Sequence, residues 1–166
     1  DIYVKIPKLN SFSTKVSLTD DGICFGVKDV KSLTGVTGDK VMSAIDEASK
    51  TSGKKPEDFN WMDVLVYIAP NINSTAFKSL ASIGFFSTKA TNVSRNKALY
   101  EYLITKELTK AEMTWLVDNY PKRKWGSLRD CLLELAPTKK EGGGTSRQQR
   151  SQIVFNEAEM LNNPPY

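Results

Sequence analysis

Residues 27–48 read VKDVKSLTGVTGDKVMSAIDEA, and this stretch decides the fold. Val27 and Val30 open at helical spacing, and Thr34-Gly35-Val36-Thr37-Gly38-Asp39 follows as a polar turn. Val41, Met42, Ala44, Ile45 and Ala48 then mark one face of an amphipathic helix. The pattern is helix, glycine-rich hairpin, helix. Glycines in such a bend let backbone N–H groups approach an oxygen ligand with no Cβ in the way, and the following helix N-terminus adds a favourable partial positive charge. Lys28, Lys31 and Lys40 flank the turn. Amides and ammonium groups together suit a nucleic-acid backbone held without base readout. The plainer reading is a helical hairpin whose glycines only make the turn and whose lysines face water, and both readings stay open at this point. A nucleotide-binding loop is excluded, because GxxxxGK[ST] is missing.

Outward from this stretch, Ile2, Val4 and Ile6 alternate with polar residues before Pro7 and form a short extended opening. Val16-Ser17-Leu18 runs through Thr19-Asp20-Asp21-Gly22 into Ile23-Cys24-Phe25, the pattern of a small β-hairpin. Strand content is expected to end there. Residues 51–56 break the helix, and Asp58 is placed to cap a second one through Trp61, Val64, Leu65 and Ile68, ended by Pro70. Asn71-Ile72-Asn73-Ser74 opens a third, with Ala76, Phe77, Leu80, Ala81 and Ile83 inward and Gly84 as its C-terminal cap. The spacing predicts helices over 96–106 and 110–119, with Leu99, Leu103, Met113, Leu116 and Val117 inward and Pro121 closing the pair. Lys122-Arg123-Lys124-Trp125-Gly126 reads as a basic turn. Leu128, Cys131, Leu132 and Leu135 resume a helix up to Pro137. Residues 139–144 read as a loop and 146–161 as a final helix. The expected fold is mainly α: an extended opening and β-hairpin over 1–26, a tandem helix-hairpin-helix core over 27–90 and a C-terminal helical lobe over 91–166.

Composition narrows the chemistry. The chain has 166 residues, 40% hydrophobic and 25% charged, enough for one compact domain or two small lobes. Histidine is absent, which excludes a Ser-His-Asp triad, a Cys-His dyad and His-liganded zinc. Cys24 and Cys131 are the only cysteines and read as small buried apolar residues in a reducing interior. No apolar run approaches the roughly 20 residues of a membrane-spanning helix, so the reading is a soluble chain with no membrane partner. The first residue is Asp1 rather than Met, giving the expectation of a segment cut from a longer protein. Lys plus Arg total 23 against 19 acids, a net charge of +4 that suits a polyanionic partner without requiring one.

Catalytic carboxylates are not visible. Two-metal nucleotidyl transfer needs acids converging from adjacent strands. Asp20-Asp21 sits in a turn, and Asp46-Glu47, Glu157 and Glu159 fall on helical faces suited to solvation. Trp61, Trp115, Tyr100 and Tyr102 fall in apolar stripes and read as core. Trp125, beside Lys122, Arg123 and Lys124, reads either as a half-buried ring in a solvated turn or as a ring laid on a nucleic-acid backbone or base. Gln152-Ile153-Val154-Phe155 is a poor clamp-binding peptide and reads as a helix stripe, and Arg147 and Arg150 beside it as solvated.

Laid end to end, Pro7-Lys8-Leu9-Asn10, Ile23-Cys24-Phe25-Gly26-Val27-Lys28-Asp29-Val30-Lys31, the glycine-rich turn and residues 41–48 resemble one region of the C-family polymerases, the bacterial replicative DNA polymerase III alpha subunit. In that family a Pro-x-x-Asn element and an Ile-x-Phe-Gly-Leu-x-x-Ile-Lys strand lead into a helix-hairpin-helix whose amides grip the phosphates of the primer-template duplex. Asn71-Ile72-Asn73 through Leu80-Ala81-Ser82-Ile83-Gly84-Phe85-Phe86 is similar to the family's Asn-Lys-x-x-x-Glu-x-Leu-Ile-x-x-Gly-Ala-Phe-Asp segment of the paired hairpin. The resemblance covers residues 7–86. It departs where the family's Gly-Val-Gly falls on Ser32-Leu33-Thr34, so that Gly35 and Gly38 come later and the hairpin is longer; Phe86-Ser87 replaces Phe-Asp. Such drift fits a bacteriophage member of the family.

The resemblance implies a non-catalytic, sequence-independent duplex DNA-binding segment of a replicative polymerase, acting in the cytoplasm of a bacterial or phage-infected cell. Lys28, Lys31 and Lys40 are expected to neutralise phosphate, Gly35 and Gly38 to present amides, and Lys122, Arg123 and Lys124 to add a second basic contact. No cofactor is expected in this segment, while Mg2+ is expected for the parent polymerase, whose palm is expected upstream of Asp1. Double-stranded primer-template DNA is the expected partner, with a sliding clamp as a further one. The alternative is a helical protein-interaction module of a replisome protein, such as a clamp-docking domain. An independent enzyme is the weakest reading, since no activated nucleophile is visible.

Overall fold

A computed structural model describes residues 3–10, 12, 17–19, 22–30 and 33–135. The chain divides into two compact units, Asp1–Leu99 and Tyr100–Tyr166. It is mainly helical with a small N-terminal sheet, as the patterning implies.

The first unit opens with β1 (Tyr3–Lys5), β2 (Ser17–Thr19) and β3 (Gly22–Cys24) in the order β1-β3-β2. β2 and β3 form the expected antiparallel hairpin in the register Ser17↔Cys24, Leu18↔Ile23 and Thr19↔Gly22. The extended opening does more than lead in: β1 pairs parallel with β3, Val4 opposite Ile23. Its turn residues Asp20 and Asp21 lie outside the described residues.

The helix expected from Val27 is a single 3-10 turn, Val27–Asp29. The Asp29 carboxylate accepts from the Gly26 N–H at 2.8 Å and so caps the start of the turn, and β-branched Val30 ends it by leaving in extended conformation at φ −74° and ψ 136°. α1 (Val36–Ser52) then buries Gly38, Val41, Ala44, Ile45 and Ala48. It starts within the stretch read as a polar turn, so Val36, Thr37, Gly38 and Asp39 are helical. It ends at Gly53, whose left-handed φ of 72° favours glycine.

The second helical pair is irregular. Asn60, not Asp58, caps its first helix: Asn60 Oδ1 accepts from the Asp63 N–H at 2.8 Å, and Asp63 Oδ2 accepts from the Asn60 N–H at 3.0 Å. Asp58 sits instead in the 3-10 turn Pro56–Asp58. α2 (Trp61–Asp63) continues as a π-helix, Val64–Ile68, and a 3-10 turn, Ala69–Asn71, running one residue past Pro70. α3 (Ser74–Ser82) is capped by Asn73, whose side chain accepts from the Ala76 N–H at 2.7 Å. It closes in a Schellman motif. Phe85 N–H donates to Leu80 and Gly84 N–H to Ala81, with Gly84 at φ 84°.

The core of this unit gathers along α1 and α3. Phe77 stacks on Phe86 at 4.7 Å, and Phe85 meets Phe86 edge-on at 5.1 Å, all three fully buried. Leu9 N–H donates to the Phe85 carbonyl at 2.8 Å, which ties the N-terminal segment to the end of α3. Lys54 Nζ lies 2.8 Å from Asp63 Oδ2, and Asp63 is 2% exposed.

α4 (Arg95–Lys106) leads into the second unit, which holds α5 (Lys110–Arg123) and α6 (Leu128–Leu135). On α4 the buried positions are Ala98, Glu101, Tyr102, Ile104 and Thr105, along one face of the helix. Leu103, expected inward, lies off that stripe and is 46% exposed. Thr109 and Glu112 form the capping box of α5. Pro121 lies inside α5 rather than closing it: Tyr120 is buried, and the Lys124 N–H donates to the Tyr120 carbonyl at 2.8 Å, which completes the last turn. The loop at 139–144, the helix at 146–161, Gln152–Phe155, Arg147 and Arg150 lie outside the described residues.

Candidate nucleic-acid interface

The turn before α1 is built by its two glycines in different ways. Gly35 is exposed at φ 68° and ψ −135°, a conformation costly for any residue with a Cβ, and it reverses the chain into the helix. Its carbonyl accepts the Asp39 N–H at 3.2 Å, so Val36, Thr37 and Gly38 carry the leading amides of the helix. Gly35 as N-cap has no side chain to cap this end. Gly38 is buried. A Cβ there would overlap the Leu33 carbonyl oxygen and lie 2.7 Å from Lys28 Cγ, so its lack of a side chain lets the incoming loop lie against the helix.

Charge around the turn is partly compensated. Lys28 Nζ lies 2.7 Å from Asp39 Oδ1, with the Lys28 side chain only 20% exposed. Lys40, one residue on, is exposed and makes no ion pair among the described residues. Lys31 lies outside the described residues. An open depression of about 550 Å³ beside the turn is lined by Val36, Asp39, Lys40, Glu47 and Asn71, so it carries both signs of charge. Val36 stands out at the tip, exposed although apolar. Nothing in its residue type signals that exposure.

The other basic cluster belongs to the second unit. Lys122 and Arg123 end α5, and Lys124 takes a left-handed conformation at its C-terminus, φ 49°. All three are exposed. Arg123 Nε lies 3.0 Å from Glu134 Oε1, and the Trp125 Nε1–H donates to Glu134 Oε2 at 2.6 Å. Trp125 is buried, 5.6 Å from Trp115 and 6.2 Å from Tyr120 between ring centroids. It is a core residue whose face is covered by other rings, which removes the reading of a ring laid on a base.

Other chemistry is sparse. Burial, helped by the Glu134 carboxylate, pushes the Cys131 thiol up to about 12, so it stays protonated at neutral pH. Asp46 and Glu47 flank Lys50 at 3.1 and 3.8 Å on the exposed face of α1. Among the described residues, no three His, Cys, Asp or Glu side chains gather where they can hold a metal ion. No helix among them is long and apolar enough to cross a membrane.

A scan against protein-family models, a search of curated proteins and a search of solved structures each find no match to this chain. The resemblance to C-family polymerases therefore stands on the residues quoted for it.

Proposed function

We propose that this chain is a non-catalytic segment of a C-family replicative DNA polymerase that holds duplex DNA by its sugar-phosphate backbone. The observation that carries the reading is the exposed Gly35 bend: it opens a 17-residue helix whose N-cap glycine supplies no side-chain cap, with Lys40 on the next turn. Such an end offers N–H donors and partial positive charge to a phosphate, and needs no base contact. Asp39 in the first helical turn opposes an incoming anion, and Lys28 offsets it. Lys28 thus acts through Asp39, while Lys40 and Lys31 meet phosphate directly. Lys122 and Lys124 form a second, weaker contact in the other unit. Nucleotide transfer and its Mg2+ belong to the parent polymerase; Asp46 and Glu47 pair with Lys50.

The protein-interaction alternative predicts little salt dependence, and salt separates the two. Duplex affinity should fall steeply as salt rises. The Lys31→Glu/Lys40→Glu double variant should lose at least about a hundredfold at moderate salt and show a shallower log-log salt slope, by roughly two phosphate contacts. Asp39→Asn should bind more tightly than wild type. Fluorescence anisotropy with a labelled primer-template checks all three. Undiminished binding by the double variant would move the assignment to the interaction module.

A further inference from the structure

Away from the α1 turn, the first unit carries an apolar groove of about 530 Å³. Ile6, Pro7, Phe25 and Val30 line it from the N-terminal segment, and Ile83 from the end of α3. Ile6 is 46% exposed and Phe25 40%, so two large apolar side chains face water within one concavity. The α3 residues along it, Thr75, Lys78, Ser79 and Ser82, follow helical spacing and are mostly small. Small hydroxyl side chains leave room for another backbone to lie close. The Ser82 hydroxyl donates to the Lys78 carbonyl at 2.7 Å and so makes no demand on an occupant.

The charge of the rim says what fits. Lys78 lines the groove and is exposed, and Arg95 lies beside it, its Nη1–H donating to the carbonyl of the lining residue Ser82 at 3.4 Å. Lys8 follows the lining residue Pro7 and directs Nζ to the Ser87 carbonyl at 3.3 Å. None of the three makes an ion pair among the described residues. The lining acid, Asp29, is turned back onto the Gly26 N–H. An apolar floor with Lys78 and Arg95 at the α3 edge complements a chain that carries apolar and carboxylate side chains together. A phosphate backbone would satisfy the rim but leave Ile6 and Phe25 against charge.

We propose that this groove docks a peptide segment of a partner protein in which apolar side chains are interleaved with Asp or Glu. The apolar side chains cover Ile6 and Phe25, and the carboxylates meet Lys78 and Arg95. The site is separate from the duplex-binding reading and does not depend on it.

The test is selection of short displayed random peptides on the full chain. Enriched peptides should interleave Leu, Ile, Phe or Trp with Asp or Glu. The best of them, synthesised and labelled, should lose at least about tenfold in affinity against Lys78→Glu/Arg95→Glu and against Phe25→Ser, and bind Lys40→Glu as it binds wild type. Circular dichroism melts verify that each variant is folded, and the surface charge pair decides alone if Phe25→Ser is not. Failure to enrich any peptide, enrichment of basic peptides, or unchanged affinity in the charge pair overturns the proposal. Displacement of the peptide by a short DNA duplex whose own binding depends on Phe25 overturns it too, and assigns the groove to nucleic acid.

Discussion

Gly38→Ala lowers the melting temperature by about 4–8 °C, the equivalent of a net loss of about 2 kcal/mol. The added methyl has nowhere to go: it would overlap the Leu33 carbonyl oxygen and crowd Lys28 Cγ, and the former is backbone. Alanine is the better helix former by up to about 1 kcal/mol, so the clash must exceed that gain for the loss to appear. Leu33 is fully buried, which leaves the loop no free direction in which to retreat. Displacing it also moves the Gly35 bend, so under the proposed function duplex affinity should fall with stability. A melt within 1 °C of wild type, judged by about 1 kcal/mol being worth 2–4 °C, would contradict this packing.

Asp63→Ala costs about 3 kcal/mol in urea unfolding. The carboxylate is buried and serves the Asn60 N–H and the Lys54 ammonium together, so truncation leaves a cap donor and a cation without their acceptor. Asp63→Asn keeps the shape and one acceptor and costs about half as much. Lys54→Met has the smallest effect, since the Lys54 side chain is 41% exposed and water already shares its charge. Burial raises the Tyr67 phenol above its ordinary value and the Asp63 carboxylate raises it further. Ultraviolet titration of Asp63→Asn should therefore show Tyr67 ionising at lower pH than in wild type, while still above an ordinary tyrosine. Equal stability of the alanine and asparagine variants would show that the carboxylate does not hold this joint.

Much of this fold is legible because apolar spacing and capping chemistry act locally. Val41, Ala44, Ile45 and Ala48 announce the buried face of α1, Asn73 the start of α3 and Gly84 its end, and each signal lies within a few residues of its effect. The misreadings arise where a contact from elsewhere, or a competing local bond, decides. Val30 leaves the chain in extended conformation, so the first helix stops after one 3-10 turn. Leu33 presses on the helix at Gly38, a contact that glycine spacing alone does not reveal. Asp58 and Asn60 are both good caps by type, and Asn60 prevails because Asp63 three residues on completes the box. Tyr120 is buried, and α5 runs through Pro121.

The candidate site was legible as residue types and not as a charge pattern. Gly35 and Lys40 are exposed at the start of α1. Lys28 reads as a phosphate contact from sequence, yet its ammonium belongs to Asp39, eleven residues on and one turn into α1. Trp125 reads as ambiguous beside three cations, and Glu134 with two other rings places it in the core. The groove around Ile6 and Phe25 has no motif at all, because it is made by two distant segments that each look like ordinary strand and helix.

The most direct measurement is an amide-resolved NMR titration of the isotope-labelled full chain with a short duplex, at low salt and again at high salt. The largest shift changes should fall on the Val36 and Thr37 N–H signals and collapse at high salt. Changes that leave these two amides untouched, or that persist undiminished in high salt, would contradict a backbone grip at the start of α1.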